Sequence, residues 1–430
     1  MLFCRNVMQI GVLAVVSTLT SLVSGQNCQA APTSRFSTVS GTGFTAKLLL
    51  SAGLTSPRGI AFDTAGALLV VNSGQGVMRV TLGESNGQPC VTGTKTLISD
   101  STLNHGIDFS ADGKTLFVSS QASVFAYTYD ATAGTATAGK AIITGMSQAD
   151  HVSRTLWVSR FKPDLLIMSR GSNANIDTAT TDPSVGRSVI KYYSIAAVTQ
   201  TPVDMARGGV LLGAGLRNSV GVTENPVTGE VWSVENSMDQ VTRQGRDIHN
   251  NNPAEELNYH GKLNDTGNTL QGANYGYPGC VAAWTPADLS NTALTVGTHF
   301  VPNLASGQDA AAADAGCAKF KAPRLSLPAH TAPLDIKFNK NATAAYVTLH
   351  GSWNRTPPDG YRLLKIEFGA DGQPTQPSTS TTASIPVLSN TNTGACPGSC
   401  IRPVGLAWDA QGRLYMSSEN NEIYVITGNL

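Results

Sequence analysis

Charged residues are scarce in this chain. They make up 13% of its 430 residues, and 29 Lys and Arg are balanced by 29 Asp and Glu. An ordinary globular protein carries about 25%. With no basic excess and no basic stripe, the sequence lacks the electrostatic footprint of a nucleic-acid or anionic-membrane partner, and both are excluded. Helical periodicity is nearly absent. So are long apolar runs: beyond the first residues no stretch reaches membrane-spanning length. A neutral surface rich in Gly, Ser and Thr suits a protein that handles uncharged or weakly charged molecules.

The chain begins with a pattern expected of a secretory signal over residues 1–25. Arg5 supplies the positive start, Ile10 to Val23 the apolar core, and Val23-Ser24-Gly25 the small-residue cleavage site. Of seven cysteines, Cys4 belongs to that segment. An even number remains, as in a secreted disulfide framework, with fifteen possible connectivities. Proximity in sequence favours Cys28–Cys90, Cys280–Cys317 and Cys396–Cys400. The Cys396-Pro397-Gly398-Ser399-Cys400 spacing reads as a loop staple rather than a redox or zinc pair, since no second Cys pair or suitable His accompanies it. Asn264-Asp265-Thr266, Asn341-Ala342-Thr343 and Asn354-Arg355-Thr356 are glycosylation sequons.

What the chain does contain is a repeat: a polar or small start, an apolar strand, a turn, and a second apolar strand. Pro57-Arg58-Gly59-Ile60-Ala61-Phe62 with Leu68-Leu69-Val70-Val71 is the first copy. Asn104-His105-Gly106-Ile107-Asp108-Phe109 with Leu116-Phe117-Val118 is the second. Further copies start at Arg154, Arg217, Pro333 and Arg402. This spacing is that of propeller blades, and it predicts an all-β, six-bladed β-propeller as a single domain over residues 26–430. The long gap across residues 239–327 is then an excursion from one blade. Phe44 to Leu50 is expected to close the ring against Ile423 to Ile426.

In a propeller, equivalent ends of different repeats meet at the axis, where ligands and catalytic groups sit. Arg58, His105, His151, Arg154, Arg217, Asn218, His350, Trp353, Asn354 and Arg402 all lie at such ends. Clustered cations need a counter-charge. With few carboxylates in the same segments, an anionic ligand is the expected one, because guanidinium forks hold carboxylates and an Arg or Trp plane stacks on a flat ring. Asn236-Ser237-Met238-Asp239, and later Asn250-Asn251-Asn252-Pro253-Ala254-Glu255-Glu256, offer carbonyl, amide and carboxylate oxygens of the kind Ca²⁺ prefers, although no EF-hand spacing is present.

Five ordered motifs carry a resemblance. They are Asp150-His151-Val152-Ser153-Arg154-Thr155-Leu156, Gly215-Leu216-Arg217-Asn218-Ser219-Val220-Gly221, Asn274-Tyr275-Gly276-Tyr277-Pro278, Leu327-Pro328-Ala329-His330-Thr331-Ala332-Pro333-Leu334 and His350-Gly351-Ser352-Trp353-Asn354-Arg355. In this order, over nearly all the chain after about residue 43, the sequence resembles the glucose/sorbosone dehydrogenase family of soluble quinoproteins. Within that family it is most like the secreted fungal pyranose dehydrogenases that use pyrroloquinoline quinone (PQQ).

The resemblance implies PQQ at the axis with Ca²⁺ against the quinone. It places Arg217 and Asn218 at the quinone end, Arg58 and Arg402 on carboxylates, and His350, Trp353 and Asn354 along the pocket, with His105 as a further candidate. His151 matches the catalytic base, Arg217 assists it, and the main chain of Ser237 and Met238, with Asp239, is the metal expectation. The implied reaction oxidises the C1 hydroxyl of a pyranose, or an aldehyde hydrate, to a lactone or acid. Hydride would pass to C5 of PQQ, and electrons to an external acceptor. No haem segment follows Leu430, so the acceptor is expected to be a separate redox protein, such as a cytochrome or copper monooxygenase, or a small quinone. A Ca²⁺-dependent propeller lactonase would want several carboxylates and few cations at the axis. A carbohydrate-binding propeller would want aromatic pockets in most blades.

Overall fold

The computed structural model describes residues 27–148 and 150–430, so the expected signal segment and Cys4 lie outside the described residues. Each repeat forms an antiparallel hairpin, and the hairpins are the inner halves of separate sheets. The inner strands are Pro57–Phe62, Leu103–Phe109, Leu156–Val158, Ser219–Glu224, Pro333–Phe338 and Pro403–Trp408, which define blades 1 to 6. Neighbouring inner strands pack side by side around a closed ring. The fold is a six-bladed β-propeller.

The continuous apolar runs of the second strands follow from this geometry. Successive side chains on a strand point to opposite faces, and each blade is covered on both. Leu68 and Val70 pack with Tyr415, Ile423 and Val425 of blade 6. Leu69 and Val71, one residue out of step, pack with Leu116 and Val118 of blade 2. The same alternation repeats around the ring, so the core is a set of inter-blade layers. Burying each such side chain contributes roughly 1.5–3 kcal/mol.

Phe44–Leu50 pairs antiparallel with Glu422–Gly428, completing blade 6 as the sequence predicts. Thr38–Ser40, not anticipated, adds an edge to blade 5 against Ser384–Asn390. The three expected disulfides, Cys28–Cys90, Cys280–Cys317 and Cys396–Cys400, are formed. The stretch over residues 239–327 is only partly an excursion. Glu255–Lys262 and Leu325–Leu327 are the outer strands of blade 4, and Ala273–Asn274 joins the edge of blade 3. Their alternation was masked by Asn, Gly and charged residues.

Near the start of five inner strands the ladder register breaks: at Pro57/Ile60, Leu103/Ile107, Ser219/Gly221, Pro333/Asp335 and Pro403/Leu406. Such irregularities re-aim side chains. They also need room. A Cβ on Gly59 would lie 2.2 Å from the carbonyl oxygen of His105, and one on Gly106 2.1 Å from that of Arg154, so only glycine lets these strands approach. The breaks bring Val220, Leu334 and Val404 of blades 4 to 6 together as an apolar collar at the axis. Leu334 faces a cavity on each side of it.

Candidate active site

The upper cavity has a volume of about 450 Å³. His151, Arg217, Asn218, Ser237, Asp239, His350, Trp353, Asn354 and Arg402 all line it, although they come from residues far apart in the chain.

His151 sits in a loop with φ of 42°. The loop is held from behind. Buried Arg154 donates to the carbonyls of His151 (2.7 Å), Ser153 (2.7 Å) and Met146 (3.0 Å). Gln148 Nε2 donates to the carbonyls of Asp150 (2.6 Å) and Ser172 (2.9 Å). Arg154 thus props the loop and does not face the cavity. His151 Nδ1 lies 3.0 Å from the Ser172 carbonyl oxygen, which can only accept, so Nδ1 carries the proton. That leaves the Nε2 lone pair available. Burial, aided by the Arg217 charge, lowers the imidazole pKa to about 4. A neutral base at pH 7 results.

Arg217 is fully engaged. Its NH2 group reaches Asp239 Oδ2 at 2.8 Å and Asn175 Oδ1 at 2.9 Å, and its NH1 group reaches the Ser237 carbonyl at 2.5 Å. Its backbone N–H donates to Glu235 at 2.6 Å. Asp239 also accepts from Asn354 Nδ2 at 3.0 Å and faces His330 Nδ1 at 3.4 Å. Burial opposes ionisation of Asp239, but His330 and Arg217 outweigh it and hold its pKa low. Burial likewise opposes protonation of His330, yet Asp239 and Glu255 raise its pKa. His330 belongs to the motif over residues 327–334, whose pattern alone gives it no role.

Across the cavity, the lining residue Arg402 shares one carboxylate with Arg58, which does not itself line it. Glu419 accepts from Arg58 NH1 at 3.2 Å, lies 3.2 Å from Arg402 NH1, and meets His350 Nε2 at 2.7 Å. Arg402 NH2 donates into His350 Nδ1 at 3.1 Å, which is possible only for an unprotonated nitrogen. His350 is therefore neutral, and its contact with Glu419 is a hydrogen bond rather than an ion pair. Burial, opposed in part by Glu419, takes its pKa to about 4. Both ring nitrogens of His350 are used, so it bridges Arg402 and Glu419. The expectation that few carboxylates stand near these cations is corrected: Glu419 and Asp239 do.

The cavity still demands a ligand. Two guanidinium groups have one carboxylate between them. Arg402 Nε, a donor, is buried without a partner; Asn354 Oδ1 is also unpartnered but is an acceptor and calls for a donor on the ligand. Trp353 is 70% exposed at the rim, an indole face with nothing against it. A flat, acceptor-rich anion fits this donor set. Asn354 Nδ2, the atom a glycan would occupy, is spent on Asp239.

Three expectations fail on geometry. Arg58 is held by Glu419 and is not among the residues that line the upper cavity. His105 lines the opposite cavity, below the collar, because the register break around residues 103–107 sends it there. Met238 is buried in an apolar cluster with Val241 and Phe300 and does not line the upper cavity.

The TrAA12-like family matches residues 38–429. A pyrroloquinoline quinone-dependent sugar dehydrogenase of Hypocrea jecorina is 46% identical over 88% of this chain and 86% of its own length. A pyrroloquinoline quinone-dependent pyranose dehydrogenase of Coprinopsis cinerea is 40% identical over 93% of this chain; the match spans 56% of that longer relative. An iodide structure of Trichoderma reesei carbohydrate-active enzymes family AA12 superimposes with a TM-score of 0.88 and 44% identity, covering 93% of this chain and all of the other. The holo form of the pyranose dehydrogenase PQQ domain from Coprinopsis cinerea gives 0.86 and 39%, covering 93% and 99%.

Proposed function

Because this chain belongs to the TrAA12-like family, we propose that it is a PQQ-dependent sugar dehydrogenase, an oxidoreductase acting on a pyranose hydroxyl. The observation that carries the reading is that one cavity gathers a neutral histidine with a free Nε2 and the guanidinium groups of Arg217 and Arg402, the latter sharing a single carboxylate with Arg58. PQQ, when bound, supplies the hydride acceptor.

The residues present fit that group. Arg402, braced through Glu419 by Arg58, would hold a carboxylate, Trp353 would cover its face, and the Asn218 amide would orient one end. His151 Nε2 would take the hydroxyl proton, while Nδ1–H on Ser172 keeps the ring aimed. Arg217, fixed by Asp239 and Asn175, would place positive charge where negative charge develops.

Calcium is a separate matter. The Ser237 carbonyl and the Asp239 carboxylate are hard-oxygen donors, but Arg217 occupies both. Among the described residues no three His, Cys, Asp or Glu side chains converge on a metal position. As arranged, this set does not fit the ion, and no step is routed through it. The same observation weighs against the lactonase alternative.

We further propose that the substrate is a pyranose or oligosaccharide oxidised at C1, that electrons leave to an external acceptor, and that the protein is secreted. The formed disulfides support an oxidising compartment. Among the described residues no helix is long and apolar enough to cross a membrane.

The test is calorimetric titration of the purified chain with PQQ, followed by aldose-dependent dye reduction. Saturable PQQ binding with turnover is expected. No binding, and no turnover on any pyranose, would overturn the reading.

A further inference from the structure

Below the apolar collar, the other end of the channel holds a second cavity of about 240 Å³. It is walled by Phe62, Trp157 and Trp408 and reached by Arg160, Lys337 and His105. Its polar inventory is lopsided. Asp108 accepts from the backbone N–H of Val158 (2.7 Å) and from Arg160 (2.8 Å); Asp335 accepts from the backbone N–H of Leu406 (2.8 Å) and from Lys337 (2.6 Å). Both carboxylates are thus committed to stapling neighbouring blades. The donors are only partly committed: Lys337 is spent on Asp335 and the Ile336 carbonyl, but Arg160 is 45% exposed along its side chain and spends only NH2 on Asp108. His105 is 5% exposed, and its buried Nδ1 has no partner. The buried indole N–H of Trp408 has none either.

A neutral imidazole can donate from one nitrogen, and burial together with the charges of Arg58, Lys337 and Arg154 keeps this one unprotonated. The unpartnered donors, the free edge of the Arg160 guanidinium and the aromatic walls suit an acceptor-rich anion with a flat body.

We propose that the lower cavity is a second binding site, for a small organic carboxylate with a ring-shaped apolar body. Its residues are distinct from those assigned to PQQ and sugar, so it stands whether or not that assignment holds.

Benzoate is the probe, titrated calorimetrically into the full chain, with neutral benzamide as control. Arg402→Gln removes the competing carboxylate site above the collar and should leave benzoate affinity within about twofold. His105→Phe should weaken it at least about tenfold, Arg160→Gln at the exposed mouth several-fold, and benzamide should bind about tenfold more weakly than benzoate. If His105→Phe fails to fold, the Arg160 variant decides. Three results would overturn the proposal: no saturable benzoate binding, binding lost in Arg402→Gln, or binding indifferent to both His105→Phe and Arg160→Gln.

Discussion

A base that must be neutral to work is made here by burial. Ser172 fixes which nitrogen of His151 carries the proton, and the buried loop drops its pKa to about 4. His151→Ala should therefore cut sugar turnover by about 10²–10⁴-fold while PQQ affinity, measured calorimetrically, changes little. In the cofactor-free chain its imidazole should titrate by NMR near pH 4; a midpoint near the ordinary 6.5 would contradict the burial argument. The sign for stability follows. A depressed histidine contributes fully above about 6.5, and that contribution is lost as pH falls toward 4. Arg217 makes a second residue-scale prediction. It holds the oxygens a calcium ion would want, so Arg217→Gln should bind Ca²⁺ more tightly than the parent chain without cofactor, and equal affinities by calorimetry would refute the competition. Sequence alone supplied the cations but not their counter-charges. Glu419 follows the second strand of blade 6 as His350 follows that of blade 5, so aligning those strand ends would have exposed it. His330 carried no comparable signal, because its role depends on a φ of 60° that turns it toward Asp239.

Blade 4 places two carboxylates where a sheet least wants them. Glu235 and Glu256 are direct cross-strand partners, both buried, with Asn258 Nδ2 donating to each at 3.1 and 3.0 Å. Like charges directly opposite each other destabilise a sheet. Burial, with the neighbouring Glu255 adding to it, raises the Glu256 pKa to about 7. Its stabilising contribution is therefore complete below about 4.5 and lost as pH rises through 7. Glu256→Gln should raise the melting temperature at pH 8 by roughly 1–4 °C and leave it nearly unchanged at pH 5. Equal gains at both values would show that packing rather than charge is responsible. The pair was illegible in the sequence because it spans the third strand of the blade. Inner strands, buried on both faces, announce themselves as apolar runs. Outer strands such as Gln88–Ser99 alternate weakly and are broken by glycine, so the repeat revealed only the inner hairpin of each blade.

At the scale of the molecule, the ring is closed by a segment that touches three blades. Residues 28–50 run from a disulfide on the outer strand of blade 1, past an edge strand on blade 5, to the outermost strand of blade 6. They strap together blades 1, 5 and 6 at a seam that is also crossed by the Arg58–Glu419 and Arg413–Glu84 ion pairs. Chain entropy predicts how much the strap matters. Cys28 and Cys90 are 62 residues apart, so their cross-link restricts the unfolded chain by about 4 kcal/mol, whereas Cys396 and Cys400, separated by 4, restrict it by only about 2 kcal/mol. Replacing both cysteines of a pair with serine should thus lower the thermal midpoint more for Cys28/Cys90 than for Cys396/Cys400, as read by scanning calorimetry at matched pH. The reverse order would mean that the seam is held by the strand pairs themselves. In that case Phe44–Leu50 on Glu422–Gly428 would be the closure, and the disulfide only a tether.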